Sequence, residues 1–260
     1  MTEIGLGMPQ VPPPDYPAEV RARLEPDAKE IIARYPDSRS ALLPLLHLVQ
    51  SEEGYVTGSG MRYCAELLGL TMAEVTAVAS FYTMYRREPG GDYQVGVCTN
   101  TLCAVMGGDA ILKTLQDHLD IHANGGTSAD GKITLEHVEC NAACDFAPVV
   151  MVNWEFFDNQ TPHSAVALVD GLRAGHPVNP TRGARLCGFR ETARILAGFP
   201  DPRPGAVEES GSAGPASLTG LRLARGERPS PRVGPPRTAP PADASPRERP
   251  GSDSPEEGEG

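Results

Sequence analysis

Apolar residues recur at helical spacing over the first third of the chain. The spacing predicts a helix over residues 25–35, a second that Ser40 caps, and a third over residues 61–68. A capping-box signature at Thr71 predicts the start of a fourth helix. Together these segments predict a small helical domain over residues 21–89.

The period of the apolar residues changes after residue 90. Tyr93, Val95 and Val97 alternate with polar or small residues, which predicts a strand that runs directly into Cys98. The pattern that follows predicts, in order, a helix from 103 to about 119, a strand that leads into Cys140, a hairpin around Asn153 and a helix that Thr161 caps. This order of elements indicates a compact α/β domain of thioredoxin type over residues 90–176.

Both ends of the chain have a different composition. Residues 1–20 are rich in proline, which forbids a helix interior and predicts a flexible arm. Residues 177–260 are crowded with proline, glycine, serine and arginine, and we expect a mostly disordered tail. Residues 182–199 keep some apolar spacing. Docking on a partner and a surface segment without fixed structure both fit it, and the second interpretation is favoured slightly.

Charge and hydropathy exclude several classes of protein. The net charge is −11, so the basic surface that nucleic-acid binding requires is absent. The N-terminus lacks the pattern of a signal peptide, and no apolar run approaches the length of a membrane span. We therefore expect a cytoplasmic protein without direct membrane insertion, which would reach a membrane only through partner proteins.

Four cysteines form two closely spaced pairs. Cys98 and Cys103 have the spacing C-x4-C, and Cys140 and Cys144 have the spacing C-x3-C. In a chain without a secretory signal, such pairs indicate metal or redox ligands rather than disulfides. Four thiolates are the ligand set of a [2Fe-2S] cluster. Outside these pairs, Cys64 is predicted to be a small buried hydrophobe.

Two other classes of site use several cysteines. A structural zinc module also accepts four thiolates, but its pairs usually have the tighter spacing C-x2-C. A thiol–disulfide oxidoreductase would carry C-x-x-C, which is absent. Cys187 is predicted to be a free thiol in a mobile segment. Gly107 and Gly108, after the first pair, would either allow close backbone approach to a cluster or relieve packing, and the pattern favours neither.

Three aromatic residues, Phe81, Tyr82 and Tyr85, lie at and just after the end of the fourth predicted helix. Packing in the core is the simpler interpretation of these side chains. Because aromatic residues are enriched at protein interfaces, a surface that faces a partner is the alternative.

Four stretches of this sequence resemble a known family. They are LLPLLHLVQSEEGYV from Leu42, SFYTMY from Ser80, VCTNTLCAVMGG from Val97 and ECNAACDFAPVVMVN from Glu139. With the cysteine spacing, they resemble the [2Fe-2S] thioredoxin-like ferredoxin subunit of NADH-quinone oxidoreductase, the E-type subunit of respiratory complex I. The resemblance extends over roughly residues 25–175 and implies a small N-terminal helical bundle, a thioredoxin-like ferredoxin domain and an extra C-terminal tail.

The resemblance implies one [2Fe-2S] cluster on Cys98, Cys103, Cys140 and Cys144. It also implies an electron-transfer subunit beside a partner that binds FMN and NADH, within a complex at the inner face of the plasma membrane. The chain has no Gly-x-Gly-x-x-Gly or Walker motif, so we expect no complete active site in this chain alone. The equivalent diaphorase subunit of an NAD-dependent formate dehydrogenase or hydrogenase is an alternative that the sequence leaves open.

Acidic residues near the cysteines affect the expected reduction potential. Asp109, Glu139 and Asp145 add negative charge to the surroundings of the cluster that the resemblance implies. Because reduction adds another negative charge, we expect these residues to favour a low potential.

Overall fold

The computed structural model of the chain describes residues 13–122, 124–204, 206 and 223–227. The chain divides into two units, residues 1–216 and residues 217–260, and the first contains every helix and strand given below. Most of the predicted N-terminal arm lies outside the described residues, as does most of the predicted tail beyond residue 206.

The N-terminal part consists of four α-helices. These are α1 (Ala18–Ala33), α2 (Leu42–Glu53), α3 (Gly58–Leu68) and α4 (Met72–Phe81). The predicted capping box is confirmed, because the Thr71 and Glu74 side chains each accept a hydrogen bond from the other residue's backbone N–H. Ser40 is not the cap of α2, since Asp37 instead caps a 3₁₀ turn, Ser38–Ala41, that leads into the helix.

A hydrophobic core joins these four helices. Cys64 is fully buried in it, as predicted. Tyr85 is 3% exposed and its hydroxyl donates to the Leu43 carbonyl, so it belongs to the core. Phe81 and Tyr82 remain exposed at 77% and 40%. The aromatic residues at and just after the end of α4 are thus divided between the core and the surface.

The second part is a five-stranded mixed sheet with helices. The strands are β1 (Tyr93–Cys98), β2 (Gly126–Thr127), β3 (Ile133–Val138), β4 (Val150–Val152) and β5 (Glu155–Phe157), in the spatial order β2-β3-β1-β4-β5. Only β1 and β3 are parallel, and Cys98 lies opposite Val138 in their register. The loops that follow β1 and β3 therefore leave the sheet at the same end.

The helices of this part are α5 (Thr101–Val105), α6 (Gly108–Leu119) and α7 (Pro162–Arg173). The prediction of one helix over residues 103–119 was wrong, because Gly107 adopts a φ of +113° and separates α5 from α6. Thr161 caps α7 with Pro162 at its first position, as predicted. The mixed sheet and the helices around it confirm the α/β fold that the sequence predicted.

The segment after α7 differs from the predicted tail. It contains a further helix, α8 (Phe189–Leu196), which packs against α2. Phe189 is 2% exposed, and Arg190 donates to the backbone carbonyls of Ser51 and Glu52. Cys187, predicted to lie in a mobile segment, is only 9% exposed. The structure thus continues the fold through residue 204.

Among the described residues, none of the helices is both long enough and apolar enough to cross a membrane.

Candidate metal centre

The first cysteine pair lies where β1 ends and α5 begins. Cys98 is the last residue of β1 and Cys103 lies on α5, and each is 2% exposed. Backbone hydrogen bonds fix the start of this loop: Cys98 N donates to the Val149 carbonyl at 3.1 Å and Thr99 N donates to the Val138 carbonyl at 3.2 Å. The sheet itself therefore determines where the first pair lies.

The second pair lies in the loop after β3. Cys140 lies two residues beyond the end of that strand, Cys144 opens a 3₁₀ turn (Cys144–Phe146), and both thiols are exposed. Ala142 between them has a φ of +51°, a left-handed conformation that is uncommon for a residue with a Cβ atom. Its N–H lies 3.3 Å from the Cys140 sulfur. The loop thus curls around the Cys140 side chain.

The two loops bring the two cysteine pairs near each other. The Cys98 sulfur lies 3.7 Å from the carbonyl oxygen of Glu139, the residue before Cys140. The pKa of the Cys103 thiol is raised to about 11, chiefly by burial and also by the thiols of Cys98 and Cys144, against a hydrogen bond from the Val149 backbone that lowers it. The approach of the Cys98 sulfur to Glu139 places the start of the second loop beside the first pair.

Neighbouring thiols also affect the pKa of Cys144. Loss of local hydration raises its pKa first, followed by the Cys140 thiol and by the charge of Cys98. All six cysteines of the described chain are free thiols, so no disulfide competes for these four sulfurs.

Gly107 and Gly108 have different roles next to the first pair. A Cβ at Gly107 would meet nothing within 4 Å, so glycine is favoured at this position by the left-handed backbone and not by lack of space. A Cβ at Gly108 would lie 2.4 Å from the Cys98 carbonyl oxygen and 2.9 Å from that of Cys103. Gly108 therefore allows α6 to begin against the first loop, with the positive end of the helix dipole beside the cysteines.

Several N–H groups near the sulfurs could stabilise thiolates. The backbone N–H groups of Val149 and Ala142 donate to the sulfurs of Cys103 and Cys140. The side-chain nitrogen of Asn141, beside Cys140, is buried and has no hydrogen-bond partner among the described residues. Hydrogen bonds to sulfur are a main means by which proteins tune iron–sulfur clusters. Sequence reasoning had no signal for the backbone donors, because any residue type except proline supplies an N–H.

The arrangement fits a binuclear cluster. Within the described residues, no group of three or more His, Cys, Asp or Glu side chains lies as a single-ion site would need. A [2Fe-2S] cluster takes two ligands on each of two irons. Within each pair one thiol raises the pKa of the other, Cys98 that of Cys103 and Cys140 that of Cys144. The donor set and its division into pairs therefore fit such a cluster.

Comparison with known proteins covers both the helical part and the sheet of this fold. The family model described as thioredoxin-like [2Fe-2S] ferredoxin matches residues 28–173. The E subunit of NADH-quinone oxidoreductase from Mycobacterium tuberculosis is 67% identical over 213 residues, which cover 82% of this chain and 83% of the relative. The E 2 subunit of the same type of enzyme from Rhizobium meliloti is 37% identical over 152 residues, 58% of this chain and 90% of the relative.

Solved structures give a weaker likeness. An NAD+-reducing [NiFe]-hydrogenase in the air-oxidized state matches 52% of this chain with 23% identity and a TM-score of 0.47. This chain spans 23% of that hydrogenase chain.

Proposed function

Because this chain belongs to the thioredoxin-like [2Fe-2S] ferredoxin family, we propose that it binds one [2Fe-2S] cluster through Cys98, Cys103, Cys140 and Cys144. The observation that supports this most strongly is the meeting of both cysteine pairs at one end of the sheet, through the parallel register of β1 and β3. The cluster, when bound, would accept and release one electron at a time.

The residues around the cluster would bind and tune it rather than catalyse bond formation. Cys98 and Cys103 lie on the buried side, where the sheet and α6 exclude water from the first pair. The N–H groups of Val149 and Ala142 favour thiolates, as does the positive end of α6. The exposed Cys140 and Cys144 leave one edge of the site open to a partner.

The chain would serve as an electron-transfer subunit of an NADH-quinone oxidoreductase, next to a subunit that binds FMN and NADH. The 67% identity to a mycobacterial E subunit over most of both chains supports this assignment. Hydride chemistry would belong to the partner, and the chain would lie at the inner face of the plasma membrane as part of the complex.

An apolar patch beside the site supports a partner at this end. Leu102, Val105 and Met106, on or next to α5, are exposed at 45%, 79% and 46%. Exposed apolar groups next to a functional site are typical of interaction surfaces. We therefore place the flavin-binding partner against this patch in our proposal.

The cluster is tested by electron paramagnetic resonance on the anaerobically purified chain, before and after dithionite, together with iron and zinc analysis. A spin-half signal that appears only on reduction is expected. Cys140→Ala should lose this signal, whereas Cys64→Ala, which removes a buried thiol outside the site, should keep it. Stoichiometric zinc without iron would overturn the proposal and leave a structural zinc module.

The partner is tested by co-purification of the chain with the flavin-binding subunit of an NADH-quinone oxidoreductase. Val105→Asp should reduce the amount recovered, because it places a charge in the apolar patch. Leu196→Asp is the matched control, since Leu196 is exposed at 39% on α8. Equal recovery of both variants would contradict docking at this patch.

A further inference from the structure

Arg182 adds a residue to the edge of the ferredoxin sheet. It forms an antiparallel bridge with Phe156 of β5, and the N–H of the preceding Thr181 donates to the Phe156 carbonyl at 2.9 Å. Arg182 lies beyond residues 28–173, which the family model matches. Any continuous stretch of 213 residues in this chain of 260 includes Arg182, so the region shared with the mycobacterial relative contains it.

The guanidinium of Arg182 lies against two aromatic rings. Its central carbon is 4.7 Å from the ring centre of Phe156 and 5.1 Å from that of Phe146. Its Nη2 pairs with the Asp158 carboxylate at 2.9 Å, and the two side chains are 25% and 7% exposed. The Nε nitrogen is buried without a partner among the described residues. Ring contacts and one ion pair therefore hold this cation.

The two rings connect Arg182 to the cysteines. Phe146 is the last residue of the 3₁₀ turn that Cys144 opens, and its carbonyl accepts the Asn159 N–H at 2.8 Å. Phe156 packs against the small hydrophobic cluster that contains Cys98 and Cys103. The cation thus lies behind the turn that begins with Cys144.

We propose that Arg182 is a positioning residue of the metal centre. Its guanidinium holds the Phe146 ring in place, and with it the turn that begins with Cys144. Its positive charge also lies behind the cluster. This inference rests on the proposed function and extends it to a residue outside the part that the family model matches. The second pair lies in an exposed loop with a left-handed residue at Ala142, so contacts from outside that loop must fix its shape.

Two consequences follow for the Arg182→Gln variant. The Phe146 ring loses the planar group that covers it, so the Cys144 turn loosens and the cluster dissociates faster. The buried Asp158 carboxylate also loses its countercharge, which adds negative charge near the cluster and lowers its reduction potential. Arg182→Lys keeps the charge but loses the planar stack, so it should retain most of the potential while still losing the cluster faster.

The matched control is Arg185→Gln. It removes the same charge from the same segment, but Arg185 is exposed. Since a charge in water acts through an effective dielectric constant roughly four times that near a partly buried site, the control should shift the potential several-fold less. The potential is measured by titration followed with electron paramagnetic resonance, and cluster loss by the rate of iron transfer to a chelator.

A merely structural role makes a different prediction. If Arg182 only stabilises the fold, its loss would lower the urea midpoint and speed cluster release in proportion, with the potential of the folded protein unchanged. We expect instead that Arg182→Gln lowers the potential more than Arg185→Gln does. Equal potentials in the two variants, or a wild-type rate of iron release in Arg182→Gln, would overturn the inference.

The link through Phe146 is tested by a double-mutant cycle. Phe146→Leu alone should speed iron release, and adding it to Arg182→Gln should give less than the product of the two separate effects, because both act on one contact. Independent effects would contradict the assignment. A wild-type chain that forms no [2Fe-2S] cluster would instead refute the proposed function, which keeps the two failures distinct.

Discussion

The two cysteine loops carry the same type of ligand, but one pair is buried and the other is exposed to solvent. Cys98 and Cys103 are each 2% exposed, at the end of a central strand and on a helix that follows it. Cys140 and Cys144 are exposed, in a loop with little secondary structure. The difference indicates that the sheet determines the geometry of the first pair, whereas the second pair depends on contacts from other segments.

The backbone shows the same contrast. The first loop has no room for a Cβ at Gly108, which lies against two carbonyl oxygens of its own cysteines. The second loop carries a Cβ on Ala142 in a left-handed conformation that favours glycine. Tight packing therefore restricts which residue types fit at Gly108 beside the first loop. The second loop instead contains local backbone strain at Ala142.

The largest expected effects come from the cysteines themselves. Cys98→Ala and Cys140→Ala should both abolish the reduced paramagnetic signal, because each removes one proposed ligand. The cluster-free proteins should differ, since only Cys98 is buried. We expect Cys98→Ala to lower the free energy of unfolding by about 1–2 kcal/mol and Cys140→Ala to change it by less than about 0.5 kcal/mol.

Urea unfolding of the cluster-free proteins measures this difference. The two variants remove the same atom, so their comparison isolates the surroundings of each pair. Equal losses of stability would show that both loops are equally well packed. That result would contradict the claim that only the first pair is packed by the sheet.

The second prediction concerns Gly108→Ala. The added methyl group would meet backbone oxygens rather than flexible side chains, so α6 or the first loop must move. We expect a loss of about 3 kcal/mol in the free energy of unfolding, at the upper end of the usual cost of overpacking. Thermal or urea unfolding measures it.

Gly131→Ala is the control for this change. Gly131 has a φ of +69° and nothing within 4 Å of a Cβ, so only conformational strain of about 1 kcal/mol applies. A Gly108→Ala protein as stable as the control would refute the close approach of α6 to the first pair.

The third prediction concerns charge. Asp145 follows Cys144 directly and is exposed, so Asp145→Asn should raise the reduction potential by removing a negative charge. For an exposed charge at about 8 Å the effect is about 0.5 kcal/mol, or on the order of 20 mV. Asp109→Asn, in the first turn of α6, should raise it less. The reduction potential of each variant is measured by redox titration. A fall in potential would contradict the electrostatic argument.

Much of this architecture could be predicted from local patterns. The alternation from Tyr93 to Val97, the capping box at Thr71 and the cysteine spacing all depend on neighbours along the chain. The first two predicted the correct elements, and the parallel pairing of β1 with β3 then explains why the two cysteine pairs meet.

Features that depend on distant contacts were missed. Helix α8 and the bridge at Arg182 lie in a segment whose proline and glycine content predicted a tail. Burial of Phe189 and the ring contacts of Arg182 stabilise that segment, and neither is visible in a local pattern. The apolar spacing over residues 182–199 was the one available signal of a folded segment. The proline and glycine content outweighed it in the prediction.

The smallest effect is expected for Ala142→Gly, and it addresses the second loop directly. A left-handed alanine carries strain of about 1 kcal/mol, which glycine would relieve. Glycine also gives the unfolded chain more freedom, which offsets about 0.4–1 kcal/mol of that gain. We therefore expect the free energy of unfolding of the cluster-free protein to change by less than about 0.5 kcal/mol.

Asp120→Gly is the matched control, since Asp120 has a φ of +54° at the end of α6, away from the cysteine loops. If strain alone decides, both variants should behave alike in urea. A loss above about 1 kcal/mol in Ala142→Gly alone would mean that the methyl group packs, and the second loop would then resemble the first.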